Sequence, residues 1–315
     1  MRNGMAIDVK GLCKNFQTNE VLRGLDLAVP KGKIFTLLGQ NGAGKTTMVK
    51  ILSTLLKFDG GDVKVLSHKL PKESDAVRTK ISLTGQYVAL DEDLTGEQNL
   101  VLIARLFGYK GVSAKNRAKE LLEQFDLSDA GGKAVKTYSG GMHRRLDIAA
   151  SIIKTPELLF LDEPTTGLDP RSRVVVWDFI RHLAKNGTTI FLTTQYLEEA
   201  DRLADLIAVI EGGKIVAKGT PAELKNLVGR KSIMVRLQNA NDTDGAKSIV
   251  GKLFTDVNIK LPDSNSLSVE IADISQANKV LAGLTEAGIE PAEYSIAQAS
   301  LDEVFMTFTG GKNNG

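Results

Sequence analysis

Eight consecutive residues constrain this chain more than any others. Gly39-Gln40-Asn41-Gly42-Ala43-Gly44-Lys45-Thr46 fill every fixed position of the pattern G-x-x-x-x-G-K-[ST]. They follow Ile34–Leu38, a wholly apolar run expected of a strand buried on both faces. They precede Thr46–Leu56, where Met48, Ile51, Leu52 and Leu55 recur at helical spacing. The order is strand, glycine loop, helix. Glycines let the backbone turn so tightly that successive N–H groups point at one anion, and the helix N-terminus adds partial positive charge. In such a loop Lys45 can reach the β and γ phosphates of a nucleotide, and the Thr46 hydroxyl can ligate magnesium.

A second phosphate-site element lies far downstream. Leu158–Leu161 is an apolar strand that ends in Asp162 and Glu163. In an open α/β sheet, ligands lie beyond the carboxyl ends of the strands, where these two side chains would face a nucleotide. Asp162 suits the shell of a hard cation, and Glu163 suits a general base acting on water. An isolated Asp-Glu pair after a strand is more often a solvated turn; the phosphate loop upstream reverses that and favours the catalytic reading.

Composition narrows what surrounds this chemistry. At 315 residues, 42% hydrophobic and 25% charged, the chain is long enough for one large domain and a smaller one. Forty basic residues against 38 acidic ones leave no general footprint for nucleic acid or an anionic membrane surface. Cys13 is the single cysteine, so no internal disulfide or thiolate metal cluster can form. Met1–Lys10 lacks the apolar core of a secretory signal, and no apolar run approaches the roughly 20 residues that cross a bilayer.

Along the chain, Ile7–Lys10 and Gly24–Val29 read as strands before the glycine loop. From about Tyr87 to Pro156 the pattern turns helical, with Leu94–Leu106 and Ala114–Phe125 as the clearest helices. Strand-like runs return at Leu158–Leu161, Thr188–Thr193, Leu206–Ile210 and Lys214–Ala217, the last two joined through Glu211-Gly212-Gly213. Beyond Val228, alternating runs at Ser232–Gln238, Ser266–Ile271 and Glu293–Ala297 are interleaved with amphipathic Ala246–Phe254 and Ser275–Ala287. The order β-α-β-β-α-β predicts a small ferredoxin-like α+β sandwich. Ser300-Leu301-Asp302-Glu303 reads as a capping box that opens a terminal helix, Leu301–Phe308.

Many nucleotide-hydrolysing families pair a phosphate loop with an acidic strand. Tyr138-Ser139-Gly140-Gly141-Met142, placed between the two, resembles the signature motif of ABC ATPases. Other elements of that family follow in order: Gln86 matches its Q-loop glutamine, Gly167-Leu168-Asp169-Pro170 its D-loop, and Phe16 the aromatic residue that stacks on adenine. The resemblance spans about Ile7 to Leu224. It implies an α/β fold: a P-loop ABC ATPase core with a helical subdomain, beside the C-terminal α+β domain. It also implies ATP and Mg²⁺, with Phe16, Gly39, Asn41, Gly42, Ala43, Gly44, Lys45, Thr46 and Thr47 around the nucleotide. Thr46, Gln86 and Asp162 would serve the metal, while Glu163, Gln86, Gln195 and Lys45 would carry catalysis. In this family two cassettes pack head to tail, so Ser139, Gly140, Gly141 and Asp169 would complete the site of a second copy.

One position departs from the family. After the strand Thr188–Thr193, where a histidine usually contacts the γ-phosphate, stands Gln195. Glutamine can donate a hydrogen bond but cannot become cationic. The words around it, Thr84-Gly85-Gln86, Asp91–Gly96, Tyr138–Arg145 and Thr193–Asp201, resemble the daunorubicin/doxorubicin-resistance type of ATPase, which has glutamine there too. The resemblance implies an ATPase at the cytoplasmic face of the membrane, driving export of an apolar drug or metabolite through a separate permease. The permease groove would involve Tyr87–Leu90 and the helix from Leu94. No nucleic-acid partner is expected. Alternatives are an ATP-gated dimerising module with little turnover, and a non-transport ABC protein. The expected division is residues 1–227 for the nucleotide-binding domain (helical subdomain about 87–156), 228–310 for the accessory domain and 311–315 for a tail.

Overall fold

The structure, a computed structural model, describes residues 4–84, 90–228, 231–254, 257–297 and 300–309. Two compact units divide between Pro221 and Ala222. The first runs through β1 (Met5–Phe16), β2 (Asn19–Pro30), β3 (Ile34–Leu38), α1 (Lys45–Leu52), β4 (Gly60–Val65), β5 (His68–Leu70), α2 (Ser74–Arg78) and β6 (Ile81–Thr84). Helices α3 (Gly96–Leu106), α4 (Gly111–Gln124) and α5 (Gly140–Ser151) form the helical middle. The chain then continues through β7 (Leu158–Asp162), α6 (Pro170–Lys185), β8 (Thr189–Thr194), α7 (Leu197–Leu203), β9 (Leu206–Glu211) and β10 (Lys214–Gly219).

Two sheets build this unit. One has the order β2-β1-β4-β5 and the other β10-β9-β3-β8-β7-β6. In the second sheet β9, β3, β8, β7 and β6 pair in parallel, and β10 closes the edge as an antiparallel hairpin with β9. The apolar strands are continuous in sequence because two cores share them. On β7, Leu158 and Phe160 enter the core between the sheets, while Leu159 and Leu161 enter the core under the helices. Phe35, Phe191 and Phe160 line up across β3, β8 and β7 with ring centroids 5.5 and 5.6 Å apart. Rings this large contribute much of the burial free energy, about 1.5–3 kcal/mol for a fully buried side chain.

The first two strands are longer than the alternation predicts, twelve residues each rather than short runs. Their pairing shifts register between Val9 and Leu12, where Gly11 has φ of 59°. Such bulges break the two-residue period, so one strand reads as fragments. Conversely α1 stops at Leu52, short of the predicted Leu56, because Thr54 turns to φ of 70°.

The second unit contains β11 (Lys231–Leu237), α9 (Thr243–Leu253), β12 (Ile259–Asp263), β13 (Ser266–Ile271), α10 (Ile274–Glu286), β14 (Pro291–Ala297) and α11 (Leu301–Thr309) after α8 (Pro221–Val228). Its sheet order, β12-β13-β11-β14, is antiparallel throughout, which is the ferredoxin-like arrangement expected from the sequence. Ile233, Val235 and Leu237 alternate inward against Val250, Val280 and Leu284 of the two helices. The Ser300 hydroxyl accepts from the Glu303 N–H at 3.2 Å, capping α11 as predicted.

Candidate functional site

The glycine loop leaves the carboxyl end of β3, between β8 and β9, and runs into α1. Close packing dictates its glycines. A Cβ on Gly39 would stand 2.5 Å from the Ile210 carbonyl oxygen, and one on Gly44 would meet Leu22 at 2.8 Å. Gly42 and Gly44 have φ of 83° and 109°, conformations that side chains resist. The loop is anchored to its sheet where the Gly39 N–H donates to the Thr194 carbonyl.

Lys45 turns back over this loop. Its buried ammonium donates to the carbonyls of Gly39 at 2.7 Å and Gln40 at 3.0 Å. The same nitrogen lies 3.2 Å from Glu163 Oε1. Two motifs more than a hundred residues apart in sequence thus meet as an ion pair. Asp162 ends β7 with its carboxylate buried, and the Thr193 hydroxyl of β8 donates to it. The Glu163 N–H is held by the Thr193 carbonyl at 3.1 Å and hydroxyl at 3.2 Å. Thr46 and Thr47 begin α1, half-buried, and Gln195 sits half-buried in the bend just after β8. Asn41 is exposed and Ala43 buried within the loop.

Phe16 closes β1 and is 46% exposed. The Lys14 ammonium stands 5.3 Å from its ring centroid. Gln86 and residues 87–89 of the expected permease groove lie outside the described residues, as does the 311–315 tail.

Ser139, Gly140, Gly141 and Asp169 form a cluster of their own. Ser139 is exposed and caps α5 by accepting from the Met142 N–H at 3.3 Å. Gly141 packs so tightly on α6 that an added Cβ would stand 2.8 Å from Ser172 Oγ and 3.3 Å from Asp169 Oδ2. Asp169 caps α6, accepting from the Ser172 N–H at 3.0 Å and its hydroxyl at 2.6 Å. Those two bonds, the hydroxyl's foremost, hold its carboxyl below the ordinary aspartate range.

Two features escaped the sequence reading. Arg144 and Asp147 pair at 2.9 Å on α5, and their i, i+3 spacing could have announced the pair. Glu199 on α7 is wholly buried and accepts from Thr165 at 2.8 Å and the Trp177 indole at 3.0 Å. Burial raises its pKa, and no residue pattern around Leu197–Asp201 signals that depth.

Among the described residues no cluster of three His, Cys, Asp or Glu side chains could hold a metal by itself. A magnesium that shares its shell with phosphates needs no such cluster; one carboxylate and one hydroxyl, as at Asp162 and Thr46, fit that chemistry. Nor is any described helix long and apolar enough to cross a membrane.

Known proteins match this arrangement. The ABC transporter family matches residues 22–166, and the C-terminal domain of ATP-binding proteins of the DrrA1-3 type matches residues 219–309. The daunorubicin/doxorubicin resistance ATP-binding protein DrrA of Streptomyces peucetius is 49% identical over 97% of this chain and 92% of that protein. The doxorubicin resistance ATP-binding protein DrrA of Mycobacterium tuberculosis is 44% identical over 98% and 95%. Among solved structures, an ATP-binding subunit of an ABC transporter superposes with a TM-score of 0.63 at 27% identity, covering 70% of this chain and 92% of that one. A dimeric post-hydrolysis cassette bound to ADP and Pi shares the fold, with a TM-score of 0.62 at 24% identity over 68% and 98%.

Proposed function

This chain belongs to the ABC transporter ATP-binding subunits, and within them we propose that it hydrolyses ATP in a head-to-tail dimer to drive export through a separate permease. The observation that carries the reading is the meeting of Lys45 and Glu163 beside Asp162, beyond the carboxyl ends of β3 and β7, the two parallel strands that flank β8. Backbone N–H groups of residues 39–46 would cradle the ATP phosphates, with α1 contributing its positive end. Lys45, now satisfied by loop carbonyls and Glu163, would exchange those partners for phosphate oxygens. That exchange frees the Glu163 carboxylate to orient and deprotonate water at the γ-phosphorus. Gln195 would donate a neutral hydrogen bond to the γ-phosphate, and Gln86 would sit near metal and water.

Thr46 and Asp162 would hold Mg²⁺, which would neutralise phosphate charge. The exposed Phe16 ring supports adenine stacking. Exposure of Ser139 and Gly140 at the start of α5 supports their service to the nucleotide of a second copy. The relatives named for daunorubicin and doxorubicin resistance support an apolar drug or metabolite as the exported molecule. The subunit would work as a peripheral protein on the cytoplasmic membrane face. Its permease would engage residues 87–90 and α3; introducing charges at 87–90 should abolish permease co-purification.

Steady-state ATPase activity and gel filtration in MgATP, for the parent and Glu163→Gln, test the core of this reading. Turnover should fall by about 10²–10⁴-fold. The variant should elute as an ATP-bound dimer. Equal turnover in both proteins removes Glu163 from the mechanism.

A further inference from the structure

The guanidinium of Arg144 gathers the carbonyls of three successive residues. Its Nε donates to Pro164 at 3.0 Å, and Nη2 reaches the oxygens of Asp162 at 3.2 Å and Glu163 at 3.4 Å. Nη1 donates to Asp147 Oδ2 at 2.9 Å, one turn further along α5. Asp147 is buried, 5% exposed, and Arg144 half-buried, 15% exposed.

The clamped segment holds a strained residue: Glu163 has φ of 50°, in the left-handed region. For a non-glycine residue that conformation is strained and persists only where neighbours over-determine it. Thr193 pins the Glu163 N–H from β8, and Arg144 pins the carbonyls from α5. A cleft of about 400 Å³ opens beside this turn, lined by His143, Arg144, Asp147, Glu163 and Thr166. The second turn of the signature helix and the catalytic carboxylate therefore share one wall.

We propose that Arg144 is a positioning residue for the Glu163 of its own subunit, although it stands on the helix whose first residues serve the opposite subunit's nucleotide. The second half of that statement rests on the shared-site dimer proposed above. Arginine is the fitting residue because a planar fork of five N–H donors can hold several oxygens in fixed directions; a lysine ammonium is a point charge. Asp147 aims the fork by occupying Nη1. One rigid helix then presents Ser139 to one nucleotide and fixes the base that acts on the other.

The test uses full-length protein with Arg144→Ala and Arg144→Lys, each also combined with Glu163→Gln. The expected turnover loss is about a hundredfold for Arg144→Ala, the penalty of roughly 1 Å of misplacement, with KM for ATP within about threefold of the parent. Arg144→Lys, which retains charge and a donor for the buried carbonyls, should fold and still lose about tenfold. In the Glu163→Gln background both variants should still form the ATP-dependent dimer, since the start of α5 is untouched. Turnover within twofold of the parent in both single variants overturns the proposal. So does loss of the trapped dimer, which would make Arg144 a prop for the signature alone. Failure of the shared-site reading shows separately: Glu163→Gln by itself would then give no dimer in ATP, while the kcat loss at constant KM still decides whether Arg144 positions Glu163.

Discussion

The two units of this chain solve the same packing problem with different consequences for chemistry. Each buries one face of its helices on a sheet. Among the described residues, the second unit hides only two polar side chains, Thr243 and Ser266, within its apolar core. The first buries five charged ones, Lys14, Lys45, Asp147, Asp162 and Glu199, together with Thr193 and Thr194 at the end of β8. Burying a charge is costly unless it is paired and hydrogen-bonded, so each needs a partner fixed by the fold. Parallel strands supply that fixing: β3, β7 and β8 all end on one side, and their last residues converge. The antiparallel sheet of the second unit sends neighbouring strand ends to opposite sides, and no comparable cluster of charge gathers among its described residues.

Core deletions measure how far the two units differ as packed bodies. Phe191 sits between Phe35 and Phe160 and is fully buried. Phe191→Ala should cost about 3–5 kcal/mol, and Ile233→Ala in the second unit about 2–5 kcal/mol, read by urea unfolding. Only the first should also disturb ATP binding, because β8 carries Thr193 and Thr194 into the site. Loss of ATPase activity in a folded Ile233→Ala protein would break the division of labour drawn here.

A smaller change aims at the loop alone. In Gly39→Ala the new methyl meets the Ile210 carbonyl, a backbone atom that cannot swing aside. ATP affinity should drop by about a hundredfold through displacement of the phosphate cradle, measured by fluorescent-nucleotide titration. Unchanged affinity would mean that the strand β9 yields, and that the close approach is not what fixes the loop.

Gln195→Ala is expected to matter less. Removing one neutral donor to an anionic phosphate should lower kcat by about tenfold, in line with a hydrogen bond to a charged group. A hundredfold loss would imply a role that glutamine chemistry does not explain. An unchanged rate would exclude Gln195 from the site.

Much of this contrast was legible before any coordinates. The glycine loop and the acidic strand end are local words whose spacing states their chemistry, the signature is read through its family resemblance, and the β-α-β-β-α-β texture announces the second unit's sheet. Long-range convergence was not legible. Nothing in the sequence places Thr193 against both Asp162 and Glu163, because parallel pairing of β7 and β8 makes that contact. Glu199 looks like one of several solvated acids in Leu197–Asp201, yet α7 turns it inward to Trp177 and Thr165. Bulges in β1 hid a twelve-residue strand for the opposite reason: the backbone changed phase where the side chains gave no sign.

The smallest expected effect concerns the Arg144–Asp147 pair on α5. Burial pushes the Asp147 carboxyl up to about 7, with Arg144 pulling against it, and Asp147 Oδ1 has no hydrogen-bond partner. A carboxyl whose folded value is raised favours the native state most when protonated. Its contribution is complete below about pH 4, where the unfolded chain also keeps the proton, and is lost as pH rises through about 7. Asp147→Asn keeps an oxygen for Arg144 and cannot ionise. Parent and variant should therefore differ little at pH 4, and the parent should fall progressively behind as pH rises toward 7. Urea unfolding across pH 4–8 reads the difference. Identical pH slopes would mean that water reaches Asp147 through the adjoining cleft, and that the first unit's buried charges are less secluded than the comparison with the second unit holds.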